Sequence, residues 1–173
     1  MTTHRLVKIL SVCIALGSLF LSGCANYLQP EVGAIARPEA RIELAENGVQ
    51  GAGWTAKNLD LTYSYSQSDN TFNLSGMLSF DQSVTNSFPL IKRFFLKVSF
   101  LDDKGRVLET VDITPLFRYL GEAPDNLKIQ SSCATPAGTS SLAFNYYGLF
   151  TADDGGNDAR GGGDWEIFYF PFD

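Results

Sequence analysis

Histidine is nearly missing from this sequence. The one copy, His4, lies among the first residues, and the rest of the chain has none. A domain folded from that remainder has no imidazole to act as a general base, so Ser-His-Asp and Cys-His nucleophile pairs are excluded. Zinc sites that use imidazole go with them. So does the one side chain whose ordinary pKa lies in the physiological range. Cysteine is almost as scarce: the copies are Cys13, Cys24 and Cys133. Beyond residue 24 only Cys133 is left, too little for an internal disulfide or a four-cysteine zinc site. Positive charge is short as well, with 13 Lys and Arg against 19 Asp and Glu, a poor match for nucleic-acid phosphates. No apolar run reaches the roughly twenty residues of a membrane-spanning helix, and there is no internal repeat or low-complexity block.

What the chain does carry at its start is a basic head, "MTTHRLVK", and then "ILSVCIALGSLFLSG". A basic head, a short apolar middle and a small-residue end are the parts of an export signal. Leu21-Ser22-Gly23-Cys24 closes that run and resembles the lipobox of bacterial lipoproteins. The resemblance implies that Cys24 receives a diacylglycerol, that the chain is cut between Gly23 and Cys24, and that the new amino group is acylated. It implies no other cofactor. Each buried methylene contributes about 0.8 kcal/mol, and two or more acyl chains hold firmly. Ala25, where family members retained at the inner membrane tend to have Asp, implies lipid anchoring at the cell outer membrane of a Gram-negative host. Removing Arg5 and Lys8 with the leader leaves 11 basic against 19 acidic residues, a formal charge of −8.

The organisation expected is a signal peptide over 1–23, a lipidated cysteine and tether over 24–40, and one domain over 41–173. "ANYLQPEVGAIARPEA" has two prolines and no steady period. Fully extended, its sixteen residues would reach about 55 Å at most. "RIEL" reads as a short first strand and "AENGVQGAG" as turn material. From Leu59 onward, period-two alternation dominates: "LDLTYSYS", "FNLSGMLSFD", "FFLKVSFLD", "RVLETVDI", "LKIQSS", "SLAFNYYGLF" and "WEIFYFPF". Alternation of this length marks strands with one buried face. "LDDKGRV" is a hairpin turn, and "TPLFRYLGEAPDN" reads as one short helical turn, with Leu116, Phe117 and Leu120 covering an end of the sheets. About seven strands predict an all-β fold, an antiparallel β-sandwich of Ig-like or fibronectin type, with a small closed barrel as the alternative. The stretch from "FNLSGMLSF" through "FFLKVSFLDDKGRVLETV" also resembles small bacterial envelope domains built around such a hairpin.

Three places could carry chemistry. The aromatics are many, 13 Phe, 7 Tyr and 2 Trp, and most should fill the core. On the last strand, however, Trp165, Ile167 and Tyr169 face one way and Phe168 and Phe170 the other. One of these faces needs a cover: the helical turn, the tether or a partner. Tyr146, Tyr147, Trp165 and Tyr169 are therefore the candidate partner-binding residues, for an envelope protein or a glycan. The loop "TADDGGNDARGGGDWE" offers Asp153, Asp154, Asn157, Asp158 and Asp164 as hard oxygen ligands for Ca²⁺, though the EF-hand and glycine-rich calcium repeats are both out of register. Lastly, a histidine-free glycan hydrolase would need paired carboxylates. Glu109, Asp112 and Glu166 are the candidates, on separate segments and with no motif joining them. The expectation is a non-enzymatic binding or assembly module on a lipid anchor. A calcium-stabilised structural module and a carboxylate hydrolase are the alternatives.

Overall fold

The computed structural model describes residues 29–45, 48–68, 70–153 and 163–173. Its strands are β1 (Ile42–Glu43), β2 (Val49–Thr55), β3 (Leu59–Ser68), β4 (Thr71–Phe80), β5 (Leu90–Leu101), β6 (Val107–Asp112), β7 (Gly121–Glu122), β8 (Leu127–Ala134), β9 (Ser141–Thr151) and β10 (Asp164–Tyr169). They form two sheets with every pairing antiparallel. One runs β2-β3-β4-β8. The other is centred on β9 and β5: β1 and β10 share one edge of β9, while β6 and β7 share the far edge of β5. The seven segments whose alternation predicts strands are β3, β4, β5, β6, β8, β9 and β10. In that order, β3-β4-β8 pair like strands A, B and E of an immunoglobulin-like sandwich, and β6-β5-β9-β10 like C′, C, F and G.

The alternation explains the core. Leu59, Leu61, Tyr63 and Tyr65 of β3 point inward, as do Phe72, Leu74, Leu78 and Phe80 of β4. They meet Phe94, Leu96, Val98 and Phe100 of β5 and Leu142, Phe144, Tyr146 and Phe150 of β9. Rings meet edge to face: Phe72 with Phe100 at 5.2 Å, and Phe80 with Phe94 and Phe150 at 5.0 Å each. Burying each such side chain contributes about 1.5–3 kcal/mol, and the edge-to-face geometry suits the ring quadrupoles.

Two readings of the secondary structure need correction. Residues 49–55 are a strand, although Gly51 and Gly53 make them look like a turn. β2 is held by backbone pairing to β3 over its whole length, from Val49 opposite Ser66 to Thr55 opposite Asp60, and only Trp54 anchors it to the core. The stretch after Pro115 is not helical. The Leu120 amide donates to the Ile91 carbonyl at 2.8 Å and β7 pairs with β5, so the backbone finds its partners across the sheet. Phe117 packs against Phe94, but Leu116 and Leu120 stay exposed rather than covering the core. The short helix is α1 (Gln82–Thr85), started by the Asp81 carboxylate accepting from the Ser83 amide at 2.8 Å.

The predicted hairpin joins β5 to β6. Asp102 accepts from the amides of Lys104 and Arg106 through one oxygen and from Arg106 Nε at 2.7 Å through the other. Gly105 sits at φ +78°, the left-handed position that closes this turn. That hairpin receives the segment before β1. The Gly33 and Ala36 amides donate to the Val107 and Gly105 carbonyls, Arg37 donates to Pro171, and Ile35 and Asp173 exchange backbone bonds. Ala36, Leu101, Val107, Ala143 and Phe172 close into a second, smaller core on the outer face of the β9 sheet, with Ala34 and Phe170 against it. Residues 33–40, read from sequence as tether, are thus packed on the domain. Arg41 fastens them: its Nε and Nη2 donate to the Ala36 carbonyl at 2.9 and 2.7 Å.

Candidate functional site

The four aromatic candidates do not form one surface. Tyr146 is only 2% exposed and belongs to the core, so it cannot touch a partner. Its hydroxyl donates to Asn58 Oδ1 at 3.3 Å, and burial pushes its phenol up to about 12, because a phenolate there would lose its hydration. Tyr169 is half-buried. It stacks near Tyr146 and meets Trp54 edge to face at 5.6 Å. These rings and Phe144 seal the seam between the β2 and β10 edges, which is a packing role. Tyr147 points the other way, onto the outer face of the sheet, where its hydroxyl donates to Glu166 at 2.9 Å. Burial and the Glu166 carboxylate raise its pKa.

Trp165 alone reaches an open concavity. At the start of β10 it is 50% exposed and lies nearly parallel to Phe88, with ring centroids 5.6 Å apart. Lys57 and Asn58 from the β2–β3 turn, Val84 from α1, and Phe168 complete a groove of about 580 Å³. The strand pattern brings this about. Trp165, Ile167 and Tyr169 share the inward face, but Trp165 stands at the end of β10, beyond the reach of the opposite sheet, so it meets Phe88 instead of a core ring. Phe88 went unnoticed in the sequence because it lies in the short link between α1 and β5, outside any periodic segment.

The outer face holds what alternation does forecast. Phe168 pairs with Tyr147 and Tyr147 with Phe95, so three aromatics stand in one cross-strand row on this face. Phe170 is covered by the packed N-terminal segment, whereas Phe168 is 66% exposed. The packed N-terminal segment thus supplies a cover for one of the two phenylalanines and leaves the other open.

The remaining candidates scatter. Of the calcium ligands proposed from sequence, Asp154, Asn157 and Asp158 lie outside the described residues, as do Gly23 and Cys24. Asp164 is engaged by Lys92 Nζ at 2.6 Å, and that hydrogen bond holds its carboxyl below the usual range; Asp153 is exposed at the end of β9. Among the described residues there is no group of three or more His, Cys, Asp or Glu placed to hold a metal ion. The carboxylates considered for hydrolysis are not brought together. Glu109 and Asp112 lie on opposite faces of β6, and Glu166 is on β10, three strand spacings away or roughly 14 Å, beyond the ~5–9.5 Å that glycoside hydrolysis uses. Cys133 is half-buried opposite Phe72, and burial, then the Glu109 charge, push its thiol up. That is the reverse of an activated nucleophile. No helix among the described residues is long and apolar enough to cross a membrane. Comparison with protein-family models, with curated proteins and with solved structures finds no match for the chain.

Proposed function

We propose that this chain is a lipid-anchored protein of the cell envelope, held at the outer membrane through Cys24, whose Ig-like sandwich docks another envelope protein or a cell-wall polymer without catalysing a reaction. The observation that carries the docking reading is the groove walled by Phe88 and Trp165. Its volume, about 580 Å³, is that of a ligand site. Its aromatic floor is stacked and half open, which suits either a sugar ring or an apolar side chain. Lys57 adds a cation at the rim, and Asn58 and Ser87 add uncharged hydrogen-bonding groups. The lipobox likeness supports the address, and an anchored domain with an aromatic groove, in which Glu109, Asp112 and Glu166 stand apart, fits an assembly role better than turnover.

The test is photo-crosslinking in intact cells from a probe at Lys57, comparing the wild type with Trp165→Ala and Phe88→Ala. Both variants should fold, because Trp165 is half exposed and Phe88 packs only against the margin of the main core. Loss of a crosslinked protein, or of co-sedimentation with purified wall polymer, in both variants supports the groove. Unchanged profiles refute it. Lipid on Cys24 is checked separately, by intact mass of the wild type against Cys24→Ser.

A further inference from the structure

The packed N-terminal segment leaves little free chain between the anchor and the domain, and that limits which surfaces can meet a membrane. Resting on the lipid-anchor reading above, we propose that the outer face of the β9 sheet lies against the bilayer, with Phe168, Tyr147 and Phe95 seated at the lipid interface. Gln29 Oε1 accepts from Lys97 Nζ at 3.4 Å, and Lys97 is on the outer side of β5, between the inward-facing Leu96 and Val98. Cys24 is five residues earlier, a span of about 18 Å at most when fully extended. The acyl chains are therefore confined to within that distance of Gln29, above the middle of this face. The β5 strand from Lys97 back to Leu90 covers about 23 Å, and the loop carrying Tyr119, next to Leu120 whose amide bonds to Ile91, lies with the Phe88–Trp165 groove at that end. A tether this short cannot pass that end to reach a membrane in front of it. The other end of β5, at Leu101, is about 13 Å from Lys97 and within reach, but its turn presents the exposed charges of Asp103, Lys104 and Arg106.

The face within reach has an interfacial composition. The lower half is closed by Ala36, Phe170 and Phe172. The upper half carries the aromatic row, with Leu149 half-buried beside it between the exposed Arg93 and Glu166, a pair of opposite charges that leaves the row without net charge. Tyrosine with its hydroxyl hydrogen-bonded at the edge, and aromatic rings directed outward, are what the headgroup region favours. The row need not bind a membrane by itself. A tether of this length makes the contact intramolecular, at an effective concentration in the millimolar range, so a weak apolar face is enough to orient the domain. The groove, whose outer rim is Phe168, then opens along the membrane surface, with Lys57, Phe88 and Trp165 left to a partner.

The full-length lipoprotein, in a Cys133→Ser background, is reconstituted into phosphatidylethanolamine–phosphatidylglycerol vesicles. An environment-sensitive fluorophore is attached at Phe168→Cys, at Met77→Cys on the outer face of the opposite sheet, or at Tyr119→Cys in the end loop. Intact mass first verifies acylated Cys24. Several-fold stronger quenching by a lipid-phase quencher at 168 than at 77 or 119 is the expected result, with the aqueous quencher showing the reverse order. Equal quenching at all three positions overturns the orientation, and strongest lipid quenching at 119 assigns the contact to the end loops and overturns it too. Protection at 168 from both quenchers means that protein covers the row, which also overturns it. An unacylated Cys24 removes the anchor reading and this one together. Acylation with the wrong quenching order removes this one alone.

Discussion

Replacing Gly105 with alanine tests whether residues 33–40 belong to the domain. Gly105 has φ +78°, where an L-residue costs about 1–2 kcal/mol. A Cβ built there would also overlap the guanidinium of Arg41. That group is the far end of a flexible side chain and can swing aside, so the steric clash itself is cheap. What is lost is the pair of hydrogen bonds from Arg41 to the Ala36 carbonyl, at 2.9 and 2.7 Å. Bonds from a charged donor contribute about 1.5–3 kcal/mol net. Gly105→Ala should therefore cost about 2.5–5 kcal/mol in total, and Arg41→Ala about 1.5–3 kcal/mol. In the Arg41→Ala background the hydrogen bonds are already gone, and Gly105→Ala should cost only the backbone strain, about 1–2 kcal/mol. The assay is a double-mutant cycle by urea unfolding of the leaderless domain, in which a coupling of about 1.5–3 kcal/mol is expected between two residues 64 positions apart in sequence. Limited proteolysis should show the same order of protection at Arg37. Additive costs would mean that the guanidinium is not seated over the turn, and rapid cleavage at Arg37 in the wild type would mean that the N-terminal segment is a tether after all. The tether-length argument would fall with it.

Two further predictions concern the core. Tyr146 has a folded-state pKa of about 12 against about 10 when unfolded, so below pH ~10 both states keep the proton and the full stability is present. Between pH ~10 and ~12 the unfolded chain ionises first, and stability should fall by roughly 2–3 kcal/mol on account of this residue. Tyr63, raised mainly by burial, acts in the same direction. Tyr146→Phe should flatten that alkaline limb in urea titrations, and an unchanged limb would count against its burial. Gly76→Ala should destabilise by about 1–3 kcal/mol, since its Cβ would stand 2.7 Å from the Thr62 carbonyl oxygen and 3.0 Å from Tyr63 Cβ, on backbone that cannot retreat. Gly53→Ala, with nothing within 4 Å of its Cβ, should be neutral or stabilise by about 0.4–1 kcal/mol. Equal melting temperatures for the two would refute the packing argument.

The long strands were legible because burial on one face imposes period two, and each of β3, β4, β5 and β9 has enough residues to show it. β2 was hidden because an edge strand paired only through backbone needs no apolar partner at Gly51 or Gly53, and backbone pairing leaves no mark on composition. The helix was placed wrongly for a related reason. Pro115 and Gly121 are good punctuation for a helical turn, but local punctuation cannot weigh the alternative that Leu120 takes, a hydrogen bond to Ile91 across the sheet. At Leu120 the backbone even accepts φ +55°, an uncommon conformation for a bulky residue.

The candidate site was half legible for the same physical reason. Alternation fixes direction but not depth. It told correctly that Trp165 and Tyr169 share a face and that Phe168 looks the other way. It could not tell that Tyr146, in the middle of β9, would be sealed, while Trp165, near a strand end, would stand open. Depth depends on what the opposite layer supplies at that height, and this is set by the crossing of two sheets whose residues are distant in sequence: Trp54 over Tyr146 and Tyr169, Phe88 over Trp165. The cover for Phe170 has the same character. The need for one could be argued from an apolar residue on each face of the last strand. The cover is a proline-bearing stretch that shows no period because it is held by single bridges, Ile35 to Arg106 and Ala36 to Phe172. A segment held in this way looks like a linker by composition and is part of the domain by hydrogen bonding. The length of free chain beneath a lipid anchor therefore has to be counted from the first packed residue and not from the first strand.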